Sequence, residues 1–417
     1  MSRLRGLLRL VTLDPSPLRR REFRLLFIGQ MVTLLGTMIT TVAVPYQVYR
    51  LTGSPLAVGL LGLAEIAPVL GLAFLGGALA DARERRGMVL LTELAAAVSS
   101  ALLVLNTLFD QPLLWLIYAV IAAQGGLYAL QRPSLDALLP RIVPPQELAA
   151  ASALTTLRGT FGMLLGPAIA GVLIASIGLA ATYALDALSF LISALAVALM
   201  QAVPPAAGAE QPSLRRVVEG LQYARTRQEL IGTYVVDMVA MFFGMPTALF
   251  PAMADAIGGG PSVLGLLYAA PAGGAFVASL TSGWTRHVHR HGVAILLAAS
   301  TWGLAIVLFG LANSALAAVA LLGLAGAADA VSGIFRTVIW NRTIPDELRG
   351  RLAAIELLSY SSGPALSGVE SGVVAAVFDI RTSILSGGVL CVLGCAVCAL
   401  LLPGFRAYDE HSWQNTC

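Results

Sequence analysis

An internal repeat constrains this 417-residue chain more than any other feature. About a dozen long apolar stretches follow one another, and the first half resembles the second. Residues 53–87 read GSPLAVGLLGLAEIAPVLGLAFLGGALADARERRG, and residues 259–292 read GGPSVLGLLYAAPAGGAFVASLTSGWTRHVHRHG. Gly59-Leu60-Leu61 falls on Gly265-Leu266-Leu267, Gly77 falls on Gly283, and both blocks close in a basic turn. Upstream, the run from Gln30 to Gly36 resembles the run from Asp237 to Gly244, with Pro45 and Pro251 following. Downstream, Arg141-Ile-Val-Pro144 resembles Arg342-Thr-Ile-Pro345. Two similar helical bundles in one membrane chain are the architecture of an alternating-access transporter.

The bilayer is the expected solvent. The chain is 57% hydrophobic and 12% charged, whereas soluble domains run near 25% charged. A helix needs about 20 apolar residues to span the hydrocarbon. Spans are expected near 23–44, 55–80, 88–108, 113–135, 149–176, 179–201, 230–252, 262–283, 293–312, 315–338, 350–375 and 382–402. The first has no small-residue cleavage pattern and reads as a retained helix, not a signal peptide. The expectation is an all-α integral membrane protein of twelve transmembrane helices in two pseudo-symmetric six-helix bundles. Its parts are an N-terminal tail (1–22), an N-terminal bundle (23–202), a linker (203–228), a C-terminal bundle (229–403) and a C-terminal tail (404–417). With the N-terminus cytoplasmic, the outer loops hold only Arg50 and Arg381, and every other Arg of the loops and tails lies inside. That bias predicts a cell inner membrane location with both termini cytoplasmic.

The turn after the second span reads Gly77-x-x-x-Asp81-x-x-x-Arg85-Arg86. It resembles the cytoplasmic gate signature of the major facilitator superfamily, with Ala82 and Glu84 as departures. The resemblance implies the major facilitator fold, alternating access and a latch in which Asp81 pairs with Arg. The equivalent turn of the second half has His287 in place of the acid, so the latch is expected to be asymmetric. Its His287-x-His289-x-His291 run reads as a solvated basic loop, not a metal site, because no acid or Cys is nearby. The fifth span carries Gly162, Gly166, Pro167 and Gly171, which resemble the Gly-Pro antiporter motif of drug exporters, with Ala170 as a departure. Small residues four apart allow close helix contact, and Pro removes one backbone hydrogen bond. The superfamily's usual Arg of the fourth span is missing: Ile121 stands there. Longer runs, FRLLFIGQMVTLLG, PYQVYRLTGSPLAVGLLGLAE, YALDALSF and PDELRGRLAAI, are similar to the enterobactin-exporter-like branch, over residues 22–402. That resemblance implies proton-coupled export of a siderophore, antibiotic or other small hydrophobic compound.

A charge within hydrocarbon costs at least ~2.5–3.5 kcal/mol, so each one needs a reason. Glu65, Asp186, Asp237 and Asp329 lie deep in spans, with Arg158. They are the candidates for proton or substrate coupling, with Glu65 and Asp237 ranked first because the implied fold puts their helices on the cavity. Arg132, Arg336, Asp136, Glu93 and Glu356 fall nearer the cytoplasm, where gate networks or snorkelling to water would hold them.

Other classes find less support. No P-loop, HExxH or GxSxG occurs, and only four His are present, so neither ATP coupling nor a hydrolase is expected. Uptake of a nutrient, or a membrane-embedded enzyme, are the alternatives. Cys391, Cys395 and Cys398 share one apolar stretch at helical spacing and read as small packing residues; Cys417 follows near the end. No cofactor is expected. The partners are a small-molecule substrate, protons and lipid, with no nucleic acid, in a monomer.

Overall fold

The computed structural model describes residues 14–82, 84–203, 222–223 and 225–409. Most of the expected linker, both chain tails and Cys417 lie outside them, as do the side chains of Asp81 and Glu356. The main helices are α1 (Arg21–Thr52), α2 (Pro55–Ala82), α3 (Arg85–Thr107), α4 (Leu114–Ile142), α5 (Leu148–Ala198) and α6 (Gln228–Phe243). There follow a short α7 (Phe250–Ala256), α8 (Gly260–Leu280), α9 (His291–Gly310), α10 (Ala315–Thr343), α11 (Asp346–Val377) and α12 (Ile380–Leu401), then α13 (Pro403–Arg406).

Among the described residues, ten helices are long and apolar enough to cross a membrane. The 51-residue α5 is two spans, because Gly178 breaks it at φ 79°. That left-handed backbone is open to glycine at little cost. The 32-residue α11 supplies a further span-length helix, so the set accords with the twelve expected spans.

On α3 and the second limb of α5 the polar residues are hidden and large apolar ones exposed, the reverse of a soluble protein. On α3, Leu91, Val98 and Leu105 are exposed while Glu93 and Ser100 are buried. On the second limb of α5, Leu188, Leu191 and Leu195 are exposed while Asp186, Ser189 and Ser193 are buried. With lipid as solvent, polar groups are satisfied inside the bundle.

The chain packs as two units: the described parts of 1–43 and 67–212, and those of 44–66 and 213–417. Residues 44–66, which the sequence places in the first bundle, pack with the second unit. There a Cβ on Gly59 would lie 1.9 Å from the Gly368 carbonyl oxygen, and one on Gly62 2.9 Å from Ala365 Cα. The first unit has apolar clusters around Leu26, Val89, Leu138 and Val197, and around Phe23, Ala151 and Leu154. The second unit's core includes Leu230, Ile295, Phe335, Cys395, Cys398 and Phe405. The three cysteines of α12 are buried and free, as packing residues should be.

Two expectations change here. The seventh span does not run straight through 230–252: α6 ends at Phe243, and the chain resumes as helix at Thr247. Pro246 and Pro251 explain the break, since neither donates a backbone hydrogen bond. Three carbonyls at the break accept side-chain hydrogen bonds. Trp302 Nε1 donates to Gly244 O at 2.8 Å, Ser367 Oγ to Met245 O at 2.9 Å, and Tyr268 Oη to Thr247 O at 3.1 Å. The His287–His291 loop is only partly solvated: His287 and His289 are exposed, whereas His291 is buried and stacks on Phe335 at 5.3 Å.

Candidate functional site

In the first unit, four helices bring polar side chains together in two layers. In one layer Glu93 of α3 is fully buried. Its Oε1 accepts from Gln30 Nε2 at 2.7 Å and Gln131 Nε2 at 2.9 Å, and its Oε2 accepts from Thr33 Oγ1 at 3.2 Å. Gln30 Nε2 also reaches Ser193 Oγ at 3.5 Å. In the other layer Asp186 of α5 is fully buried. Its Oδ2 accepts from Thr40 Oγ1 and Ser100 Oγ, both at 2.7 Å, and Gln124 Nε2 donates to Ser100 Oγ at 3.2 Å. Asp186 Oδ1 is buried with no hydrogen-bond partner among the described residues.

The layers follow from spacing. Thr33 and Thr40, Glu93 and Ser100, Gln124 and Gln131, and Asp186 and Ser193 are each two turns apart on their helix. At 1.5 Å per residue that is ~10 Å, so each pair lies on one helix face. Glycine brings α1 close enough. A Cβ at Gly36 would fall 2.0 Å from Ser189 Oγ and 2.7 Å from Asp186 Oδ1. Each layer holds one carboxyl, and the hydrogen bonds described to it all come from neutral groups.

The second unit buries charge differently. Asp237 of α6 pairs with Arg336 Nη1 of α10, and Arg336 Nη2 reaches Asp329 Oδ1 at 3.3 Å. The Arg336 and Asp237 side chains are 11% and 9% exposed, whereas Asp329 is 39% exposed. The repeat sets Gln30 against Asp237: one donates to a lone carboxyl, the other accepts from a cation. Beside them Trp340 Nε1 donates to Thr233 Oγ1 at 2.9 Å, and its ring stacks on Tyr234.

The sequence-derived candidates are therefore spread over several places. Asp186 sits in a buried layer, and Asp237 and Asp329 share Arg336. Glu65 is exposed. Glu93 and Arg336 are not near-surface gate residues, as expected from position alone, but buried centres of their networks. The signal that could have found them is the polar spacing, Gln30 to Thr33 and Gln124 to Gln131, on faces opposite the leucines. Arg132 is as expected an exposed pair with Asp136, at 3.0 Å.

The Gly-Pro motif and the gate motif have local duties. Gly162, Gly166, Pro167 and Gly171 are all buried on α5. A Cβ at Gly162 would fall 2.4 Å from Leu34 Cδ2, and one at Gly166 2.3 Å from Met38 Cβ, so α1 lies tight against this face. Gly77 and Asp81 are in α2. Arg85 is buried and its Nη1 donates to Ala137 O at 3.4 Å. Arg86 donates from Nε to Val197 O at 3.2 Å and from Nη2 to Ala198 O at 2.8 Å, while Arg21 Nη2 donates to Leu199 O at 2.9 Å. Two guanidinium groups thus meet the carbonyl end of α5, where a cation is favoured. Arg86→Ala is expected to lower thermal stability by about 1 kcal/mol, a charge-assisted bond discounted for its exposure. Unfolding midpoints in detergent check this, with Arg86→Lys falling between.

The profile of a family described as transmembrane secretion effectors matches residues 13–416. The chain is 30% identical over 424 residues to the enterobactin exporter EntS of Shigella boydii serotype 18, covering 100% of this chain and 99% of that protein. The same identity and coverage hold for the enterobactin exporter EntS of Escherichia coli strain SMS-3-5. Among solved structures, a bacterial homologue of the lysosomal transporter Spinster gives a TM-score of 0.74 at 15% identity, covering 95% of this chain and 99% of that one. A bacterial homologue of the iron transporter ferroportin gives 0.70 at 14% identity, covering 93% and 99%. At these identities the solved structures speak for the fold alone.

Proposed function

Because the chain belongs to the transmembrane secretion effector family of the major facilitator superfamily, and is a membrane transporter, not an enzyme, we propose that it exports a siderophore or similar small hydrophobic compound. Export runs by alternating access, driven by protons entering the cell. The full-length similarity to enterobactin exporters carries the export reading. Asp186 carries the coupling. Its Oδ1 is buried without a partner among the described residues, and a bare carboxylate oxygen in such a place is costly unless it binds a proton. Proton release as access alternates then ties the gradient to substrate movement.

The packing reorders the candidates ranked from sequence. Asp237 has a counter-ion in Arg336, so losing its charge would leave that buried cation with only the more exposed Asp329. Glu65 is exposed and has no ion pair or hydrogen bond among the described residues. Asp186 comes first and Glu93 second, with the Asp237–Arg336–Asp329 group as a structural and gating element. Asp81, Arg85 and Arg86 form the cytoplasmic gate, and the glycine face of α5 favours the export direction. The protein works as a monomer in the inner membrane with both termini cytoplasmic.

The test is enterobactin transport in proteoliposomes under an imposed pH gradient. Wild type accumulates enterobactin against its gradient and stops on adding a protonophore. Asp186→Asn inserts and folds normally, and loses the gradient-driven component. Glu65→Gln keeps most of it. Transport by Asp186→Asn that still follows the pH gradient at the wild-type rate would sink the coupling assignment; transport indifferent to protonophore would sink proton drive itself.

A further inference from the structure

Arg158 stands ten residues into α5, about 15 Å along the helix from its start, among apolar neighbours. One turn before it, Leu154 packs in a cluster with Phe23 of α1. One turn after it, Gly162 meets Leu34 of the same helix. The guanidinium is partly buried, and its Nε is shut from solvent with no hydrogen-bond partner. No ion pair or hydrogen bond to Arg158 exists among the described residues. The charge acting on it is of the same sign, from Arg132 of α4.

The carboxyls of the elements around it are engaged elsewhere. Glu22, the acid of α1, pairs with Arg21 and accepts from Gln201 N. Asp136 of α4 pairs with Arg132. Glu147, just before α5, pairs with Arg20, and Asp186 sits with Thr40 and Ser100. A guanidinium in a span without a counter-ion, beside a second one, is unfavourable by itself. Structural arginines of this unit avoid that state: Arg85, Arg86 and Arg21 all end on helix carbonyls.

We infer that Arg158, with Arg132 beside it, is the anchor for an anionic group, a carboxylate or similar oxyanion, on the transported compound. The anchor rests on the exporter reading and narrows its substrate class. Arg158 presents unused donors in a planar fork suited to two oxygens of one oxyanion. Arg132 is 58% exposed at its side chain and held by Asp136. It adds positive potential that draws an anion in, and it can exchange Asp136 for the incoming group. An uncharged compound of the same shape would leave Arg158 unmatched.

The experiment is equilibrium binding of salicylate and of salicylamide, which differ in the carboxylate. It uses the full-length protein in phosphatidylcholine nanodiscs, read by the shift in unfolding temperature. Wild type is stabilised by salicylate and at least about tenfold less sensitively by salicylamide. Arg158→Gln loses that discrimination. Arg158→Lys keeps part of it, since a point charge replaces a fork. Equal response of wild type to the two probes overturns the anchor, as does unchanged discrimination in Arg158→Gln. Stabilisation that appears only when phosphatidylglycerol is added, and not with salicylate, assigns the pair to a lipid headgroup and also overturns it. No gradient is present, so failure of proton-driven export would leave this result standing, and the reverse holds.

Discussion

Arg336→Leu is expected to lower stability by about 3–5 kcal/mol, the usual result of stripping one partner from a buried ion pair. Asp237 would then keep its charge in a nearly closed site, with no other cation contacting it among the described residues. Asp329 is half-way to solvent and adapts more easily. The double variant Asp237→Leu/Arg336→Leu is expected to recover most of the loss, because an apolar pair of similar volume replaces the ions without an orphan. Unfolding temperatures of the purified proteins in one detergent check this. A single variant as stable as wild type, or a double variant no better than the single, would show that the pair is not the unit described here. The double variant has a second use. If it inserts and unfolds like wild type yet exports nothing, the pair has a gating duty beyond holding α6 to α10.

Gly326→Leu is expected to separate α8 from α10, with a loss of roughly 3 kcal/mol or more and low yield of folded protein. A Cβ at Gly326 would lie 1.9 Å from the carbonyl oxygen of Pro271, and one at Gly274 would lie 1.7 Å from that of Gly323. These contacts are with backbone, so no side-chain rotation relieves them. Gly283→Ala is the control: nothing lies within 4 Å of its Cβ position, and that variant should fold as wild type. Folded yield by size-exclusion chromatography separates the cases. Equal yields for Gly326→Leu and Gly283→Ala would refute the close seam.

The repeat aligned Gly77 with Gly283. At Gly283 the space is open, while the tight contacts fall at Gly274 and Gly326, which no repeat or motif marked. A glycine in an apolar run has one spelling whether it meets a backbone or lipid. The Gly-Pro run of α5 was more legible, because small residues spaced along one helix can serve little else: all four are buried, and Gly162 and Gly166 meet Leu34 and Met38 of α1. The polar layers were half legible. Glu93, Gln30 and Gln131 are visible as rare polar letters in apolar spans, but their sharing of one hydrogen-bonded site depends on the mutual rotation of three helices.

Sequence by itself determined the solvent, the secondary structure and the family. Those follow from local hydrophobicity, from the roughly 20-residue length a bilayer demands, and from short motifs that need no partner to be read. It also determined that α5 divides near Gly178, since no other residue type tolerates that backbone so cheaply. Tertiary structure alone decided which charges are matched. Asp237 received a cation, Asp186 two hydroxyls, Glu93 two amides and a hydroxyl, and Arg158 no partner among the described residues. The cost of a charge in hydrocarbon is set by the groups within a few ångströms of it, and those come from helices distant in the chain.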